Sequence, residues 1–594
     1  MEETMHRHLM NTTLLCGLLV AGLTHSNVYA QPKLDSDDRT AIELLPASCL
    51  AVAEMRHPDR LLTTLTEHRV WKKAQQQPQY QAAISNPGYM MFLGIRTHIE
   101  TQIGMKWREA YDTLLGGGVT IAFEPETQGI VALVRSTDAE KLQSTAKKLI
   151  ELGRADARSK GNEPLPEDEY RDVTIYGQKN ARFAIVGPWL VMSNKGDLGK
   201  KVVDTLLDGS RTSIKDNENF AAARKSINGE PTVWSWVDLG TIRDAGFAKA
   251  LEKNQTENPL AELLVGGVLT NLRQTPYVTA SLYVTGESTR LQLAAPHDNA
   301  WVEEFRKYWF GPEGNGAADP TLATESTILS ISTYRKVSEM WLRAGDLFDE
   351  RMNDELAKAD ANLTTFFAGK DFGEDVLGSF GPAMQILVNR QDFSDALPKP
   401  ALKLPSVALA GRLEHAEETR TELRRTFQSL VGFLNVIGAM QGNPQLDQDT
   451  DVYRDNKIYT ASFIPEADEK DSERARIQFN FSPSLAFAKD RFFITSTKQQ
   501  AKDLIDAAQD EPTTRGEKSN TAIRLNAKTL GEALDDNRDQ LVAQNMIKKG
   551  QTREESAREI GLLLEAIALF EGMSFDVKTT GGELKLELSI QTKK

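Results

Sequence analysis

Tyr170-Arg171-Asp172-Val173-Thr174-Ile175-Tyr176-Gly177, then Ala184-Ile185-Val186-Gly187-Pro188-Trp189-Leu190-Val191-Met192-Ser193 and a helical run to Leu207, decides the reading of this chain because it recurs. The second copy is Tyr453-Arg454-Asp455-Asn456-Lys457-Ile458-Tyr459-Thr460, then Ala486-Phe487-Ala488-Lys489-Asp490-Arg491-Phe492-Phe493-Ile494-Thr495 and a helical run to Ala508. Each parses as strand, hairpin, strand, N-cap and helix. A supersecondary unit used twice points to duplication.

Outward from these copies, further pairs keep the same order. Ala47-Ser48-Cys49-Leu50 answers Glu325-Ser326-Thr327-Ile328, and Leu115-Gly116 answers Leu377-Gly378. Thr285-Gly286 with Arg290-Leu291-Gln292-Leu293 answers Thr580-Gly581 with Lys585-Leu586-Glu587-Leu588. The pattern predicts a first module over 31–310 and a second over 322–594, joined by a Gly- and Pro-rich linker at 311–321.

Each module should open on a short strand, at 48–54 and 326–332. In the first, Phe92, Ile95, Ile99, Ile103, Trp107, Tyr111 and Leu114 recur every three or four residues, the mark of an amphipathic helical face. Strands are predicted at Val119–Glu124 and Gly129–Arg135. Thr137-Asp138-Ala139-Glu140 reads as a capping box for a helix burying Leu142, Ala146, Leu149 and Ile150. The corresponding helix of the second module carries Leu423, Phe427, Leu430, Val431 and Leu434, and Ser496-Thr497-Lys498-Gln499 caps the later one. Leu584, Leu586, Leu588 and Ile590 alternate with polar residues after the Thr579–Glu583 turn, as in a strand with one wet face. Strands arriving as hairpin neighbours predict an α+β fold of two tandem homologous modules, each a mainly antiparallel sheet backed by helices.

At 594 residues the chain exceeds one core, and its 40% hydrophobic and 26% charged composition is that of a globular protein. A formal charge of −14 argues against nucleic acid, which requires a cationic face. The N-terminus reads as a signal peptide over 1–30. Met5-His6-Arg7-His8 is the polar region, Leu14–Leu23 the apolar core, and Val28-Tyr29-Ala30 the cleavage site. The apolar run falls short of the ~20 residues of a membrane span. Cleavage leaves a soluble, exported protein, periplasmic or secreted, with no transmembrane span. Cys16 lacks the small neighbours of a lipobox, and after cleavage Cys49 alone remains, a core residue that cannot form an internal disulfide.

No residue set carries a recognisable chemistry. Gly116-Gly117-Gly118 lacks the Lys and Ser/Thr of a phosphate loop, and His57, His68, His98, His297 and His415 fall into no ligand spacing. His98, beside an apolar stripe, reads as partly buried. Asp447, Asp449 and Asp451 begin like a calcium loop, but Val452 and Ile458 stand where Gly and Glu are needed. Glu167-Asp168-Glu169 holds the matching place, so both read as acidic loops entering a strand. Tyr-Arg-Asp reads as a strand start with Tyr170 in the core and Arg171 pairing across the sheet. Trp234 and Trp236 share a strand face, and Trp301 and Trp309 an amphipathic run; core packing and a sugar platform both fit.

Leu44-Leu45-Pro46-Ala47 leading into a Leu-Ala-Val strand, with the repeated strand–hairpin–helix units, resembles a loose group of large bacterial exported proteins of unknown function. Their mature part opens on a Leu-Pro-Ala strand, and the resemblance implies no site residue. The sequence thus leads to a non-catalytic interaction or binding protein of the envelope or exterior, with no catalytic, cofactor-binding or metal residues assigned. The alternatives are an extracellular hydrolase with a site between the modules and a carrier of lipid or another hydrophobic ligand.

Overall fold

The structure is a computed structural model and describes residues 39–178, 180–209, 212–246, 255–367, 369–393, 399–440, 444–464, 477–509 and 518–593. The predicted signal peptide lies outside the described residues. The chain divides into two compact units, residues 39–246 with 276–286, and residues 255–275 with 287–593. No helix among the described residues is long and apolar enough to cross a membrane.

The first unit contains β1 (Ala51–Met55), β2 (Val119–Glu124), β3 (Gly129–Arg135), β4 (Glu167–Tyr170), β5 (Val173–Gln178), β6 (Ala181–Val186), β7 (Trp189–Ser193), β8 (Val233–Asp238) and β9 (Tyr277–Val284). They pair antiparallel in the order β9–β8–β1–β2–β3–β7–β6–β5–β4. Alternate residues face the main core: Val131 and Leu133 of β3, Ala184 and Val186 of β6, Trp189 and Val191 of β7. The helix Gly196–Asp208 covers that face with Leu198, Val202, Val203 and Leu206.

The second unit contains β10 (Ser288–Pro296), β11 (Thr327–Tyr334), β12 (Phe380–Asn389), β13 (Ser406–Leu413), β14 (Leu446–Tyr453), β15 (Asn456–Phe463), β16 (Ser484–Ala488), β17 (Arg491–Thr495), β18 (Thr521–Asn526), β19 (Phe570–Thr580) and β20 (Glu583–Thr592). Their antiparallel order is β10–β20–β19–β18–β11–β12–β13–β17–β16–β15–β14. From β19 to β14 this is the first unit's order with ten added to every strand number. The helix Lys498–Gln509 packs Leu504, Ile505 and Ala508 against Ile458, Ala486 and Phe493. The fold is therefore α+β, as the hairpin spacing predicted.

Several local readings are corrected. Arg171-Asp172 and Arg454-Asp455 are not strand starts but hairpin turns, all four residues having positive φ (53°, 62°, 46° and 63°). Two consecutive left-handed residues match the twist of the strands they join. Glu167–Glu169 and Asp447–Asp451 accordingly lie within β4 and β14 rather than in loops. Asp138, not Thr137, caps the helix Ala139–Ser159, accepting from the Lys141 N–H. Thr497 accepts from the Gln500 N–H, although Ser496 was the expected cap.

The predicted linker at 311–321 lies inside the second unit, together with the helix Pro259–Gln274 and β10. Asn520 donates to the Gly316 carbonyl, Gln385 to that of Pro320 and Ser332 to that of Asp319. The Asp319 carboxylate meets Arg412 at 2.6 Å and Arg491 at 3.1 Å. Its glycines serve close packing rather than slack: a Cβ on Gly316 would collide with Phe310 and Tyr334.

Candidate functional site: an apolar groove in the first unit

The alternation that sends half of β3, β6 and β7 into the main core turns Val134, Phe183, Ile185 and Leu190 to the opposite face of the sheet. There the helices Pro87–Ile103, Trp107–Leu115 and Ala139–Ser159 do not close on them. They leave a groove of about 450 Å³. All seven residues of the predicted amphipathic stripe, Phe92 to Leu114, line it, as do Leu142, Ala146, Leu149 and Ile150. The sequence identified the apolar faces correctly, reading Phe92 to Leu114 as an amphipathic face and Leu142 to Ile150 as a buried one. In the structure Phe92 is 57% exposed, Ile95 52% and Trp107 42%. Leu142, Ala146 and Ile185 form the buried floor, with Leu114 and Leu190 packed against them.

Two charged residues line this cavity, Arg96 and Glu100, one helical turn apart. Glu100 is buried. It accepts from the Trp107 N–H at 3.1 Å and from Lys106 Nζ at 3.2 Å. The Trp107 N–H is the largest influence holding its carboxyl below the usual range; burial opposes and Lys106 assists. Arg96 approaches Glu100 at 3.5 Å through Nε, a buried atom that makes no hydrogen bond. Sequence periodicity named neither residue. The signal for the sheet wall was the pair of apolar runs Phe183–Val186 in β6 and Trp189–Met192 in β7, which mark strands covered on both faces.

A second recess of about 670 Å³ in the same unit mixes charged with apolar residues, and many of its charges are already paired. Arg56 and Arg224 bind Glu54, Lys215 binds Glu43, and His57 lies 3.6 Å from Glu230.

The other candidates are structural. Trp234 and Trp236 are buried, each edge-on to Phe220, and Trp309 is buried beneath Arg335, 4.1 Å from its ring. Burial pushes the Cys49 thiol up to about 12. Asp451 is engaged by Lys498 and Lys502. Among the described residues no group of three His, Cys, Asp or Glu is placed to hold a metal. His98 is exposed rather than partly buried, while His297 is buried between Asn271 and Asn299 and stacked on Phe310. Tyr170 donates to Asp204, which also binds Arg171 at 2.8 Å; Tyr453 donates to Asp506, which binds Arg454 at 3.0 Å. These clusters pin each hairpin turn to its helix.

No family model and no curated protein matches the chain. Among solved structures, crystal forms I, III and IV of TP0453 are similar over 44%, 45% and 46% of this chain and 80%, 83% and 85% of theirs. Sequence identities are 11%, 7% and 8%, and TM-scores are 0.23, 0.24 and 0.23. Scores this low carry no argument about function.

Proposed function

We propose that this protein is an exported, non-catalytic binding protein whose first unit takes up an apolar small molecule in the groove beneath Pro87–Ile103. Of the alternatives raised by the sequence, the hydrophobic-ligand carrier is the one favoured by a specific observation. That observation is a cavity of about 450 Å³ with walls formed almost wholly by hydrocarbon and aromatic side chains. Its volume falls in the range of small-molecule sites. Export rests on the leader-like residues 1–30. We also infer that the two units descend from one duplicated module. The shared strand order and the paired Tyr-Arg-Asp turns support that reading.

The test is binding of N-phenyl-1-naphthylamine and its displacement by 1-alkanols of increasing length. Each buried methylene contributes about 0.8 kcal/mol, so affinity should rise about fourfold per carbon until the groove is full. Ala110→Trp and Ala146→Trp, which place an indole in the groove, should each abolish binding. Absence of binding, or binding that survives both substitutions, would overturn the proposal.

A further inference from the structure

Resting on that reading of the groove, we propose that its ligand is a long-chain carboxylate, a free fatty acid whose headgroup is taken by Arg96. The argument begins with an unequal division of hydrogen bonds between the two charged residues of the wall. Glu100 is provided for: the Trp107 N–H and Lys106 Nζ both donate to it, and the carboxyl stays ionised. Arg96, whose side chain is 37% exposed, is provided for only in part. Among the described residues its guanidinium meets Glu100 alone, at 3.5 Å, beyond a normal hydrogen bond, and its buried Nε donates to nothing.

A buried donor without an acceptor costs free energy that a ligand oxygen would recover. Charge balance selects the sign of that ligand. Arg96 and Lys106 outnumber Glu100 around the charged end, leaving one positive charge for a single anion. A planar guanidinium fork matches a planar carboxylate. A dianionic phosphate would meet the Glu100 carboxylate as well, and a cationic head would be repelled by Arg96 and Lys106, which already flank that carboxylate. The apolar residues beyond, Ile99, Ile103, Leu142 and Leu149, offer a wall for the hydrocarbon chain.

The experiment measures displacement of N-phenyl-1-naphthylamine from the full chain by palmitate, 1-hexadecanol, hexadecyltrimethylammonium and 1-palmitoyl-lysophosphatidic acid, at pH 7.5 and matched ionic strength. Palmitate should bind at least tenfold more tightly than hexadecanol, the worth of a charge-assisted hydrogen bond. Arg96→Gln should reduce palmitate to the level of hexadecanol and leave hexadecanol unchanged, which also shows that the variant is folded. Arg96→Lys should restore part of the preference. Equal binding of palmitate and hexadecanol, a preference for the ammonium or the phosphate, or indifference to Arg96→Gln would overturn the headgroup assignment while the groove still bound alkanols. Failure of all four ligands to bind would instead overturn the groove itself.

Discussion

Asp172 and Asp455 occupy the second left-handed position of their hairpin turns, at φ 62° and 63°. Asp tolerates this region because its short polar side chain can bond locally, whereas a β-branched residue cannot relieve the clash of Cβ with its own carbonyl. Asp172→Val should cost about 1–2 kcal/mol in urea denaturation, and Asp172→Gly should be close to neutral. Glu124 offers a second residue-scale test. Its side chain is fully buried; desolvation alone would raise its pKa, but Lys201, the Thr127 N–H and hydroxyl, and the Ser48 hydroxyl outweigh burial and hold it to about 2. The folded pKa thus lies below the unfolded value of about 4.3, so the stabilisation is complete above that value and is lost as pH falls towards 2. Glu124→Gln should lower stability by about 2–3 kcal/mol at pH 7, and the difference from the parent protein should shrink below pH 4.

Helices show what periodicity can and cannot tell. The spacing of Phe92 to Leu114 revealed an apolar face, and the bounds of β2 and β3 were legible to the residue. Spacing gives the direction of a face, not what meets it, and here part of it meets empty space. The helix Ala416–Met440 shows the same limit. Leu430 and Leu434, predicted to be buried, are 43% exposed, because the helix is turned so that Phe427 and Val431 face Leu446 and Ala461 while the Asn435 amide bonds the Leu446 backbone. An i, i+4, i+8 row containing one Asn is not an apolar period, so the side chosen was hidden from a hydrophobicity count. Helix glycines give a prediction of opposite signs. A Cβ on Gly267, in Pro259–Gln274, would strike the ring of buried Trp309, whereas one on Gly432 meets nothing within 4 Å. Gly267→Ala should destabilise by about 1–3 kcal/mol through overpacking, despite better helix propensity. Gly432→Ala should stabilise by up to about 1 kcal/mol; thermal melts of both variants check this.

Across the whole molecule, composition misplaced the boundary. Gly311 to Pro320 looks like a tether because glycine and proline suit both slack chain and tight packing, and only the partners of Asp319 and Gly316 distinguish the two. The unit that holds this stretch also holds Glu262, whose fully buried carboxylate pairs with Arg306 at 2.9 Å and accepts from Tyr308. A fragment cut at the predicted boundary, 322–594, therefore lacks both halves of that pair together with Trp309. It should unfold at lower urea than a fragment 255–594, with a smaller m-value reflecting the smaller buried surface.

The chain also passes between the two units out of order: the helix Pro259–Gln274 belongs to the second unit, β9 to the first, and everything from Glu287 to the second. On the ribosome this becomes a matter of timing. Leu263 and Val268 pack in a cluster completed by Val577 and Leu584, which are made long after them. At about 5–20 residues per second, the roughly 300 residues between them take about 15–60 s to emerge. Throughout that interval an apolar helix waits for strands that do not yet exist, and a nascent-chain chaperone that shields it should raise the yield of native protein.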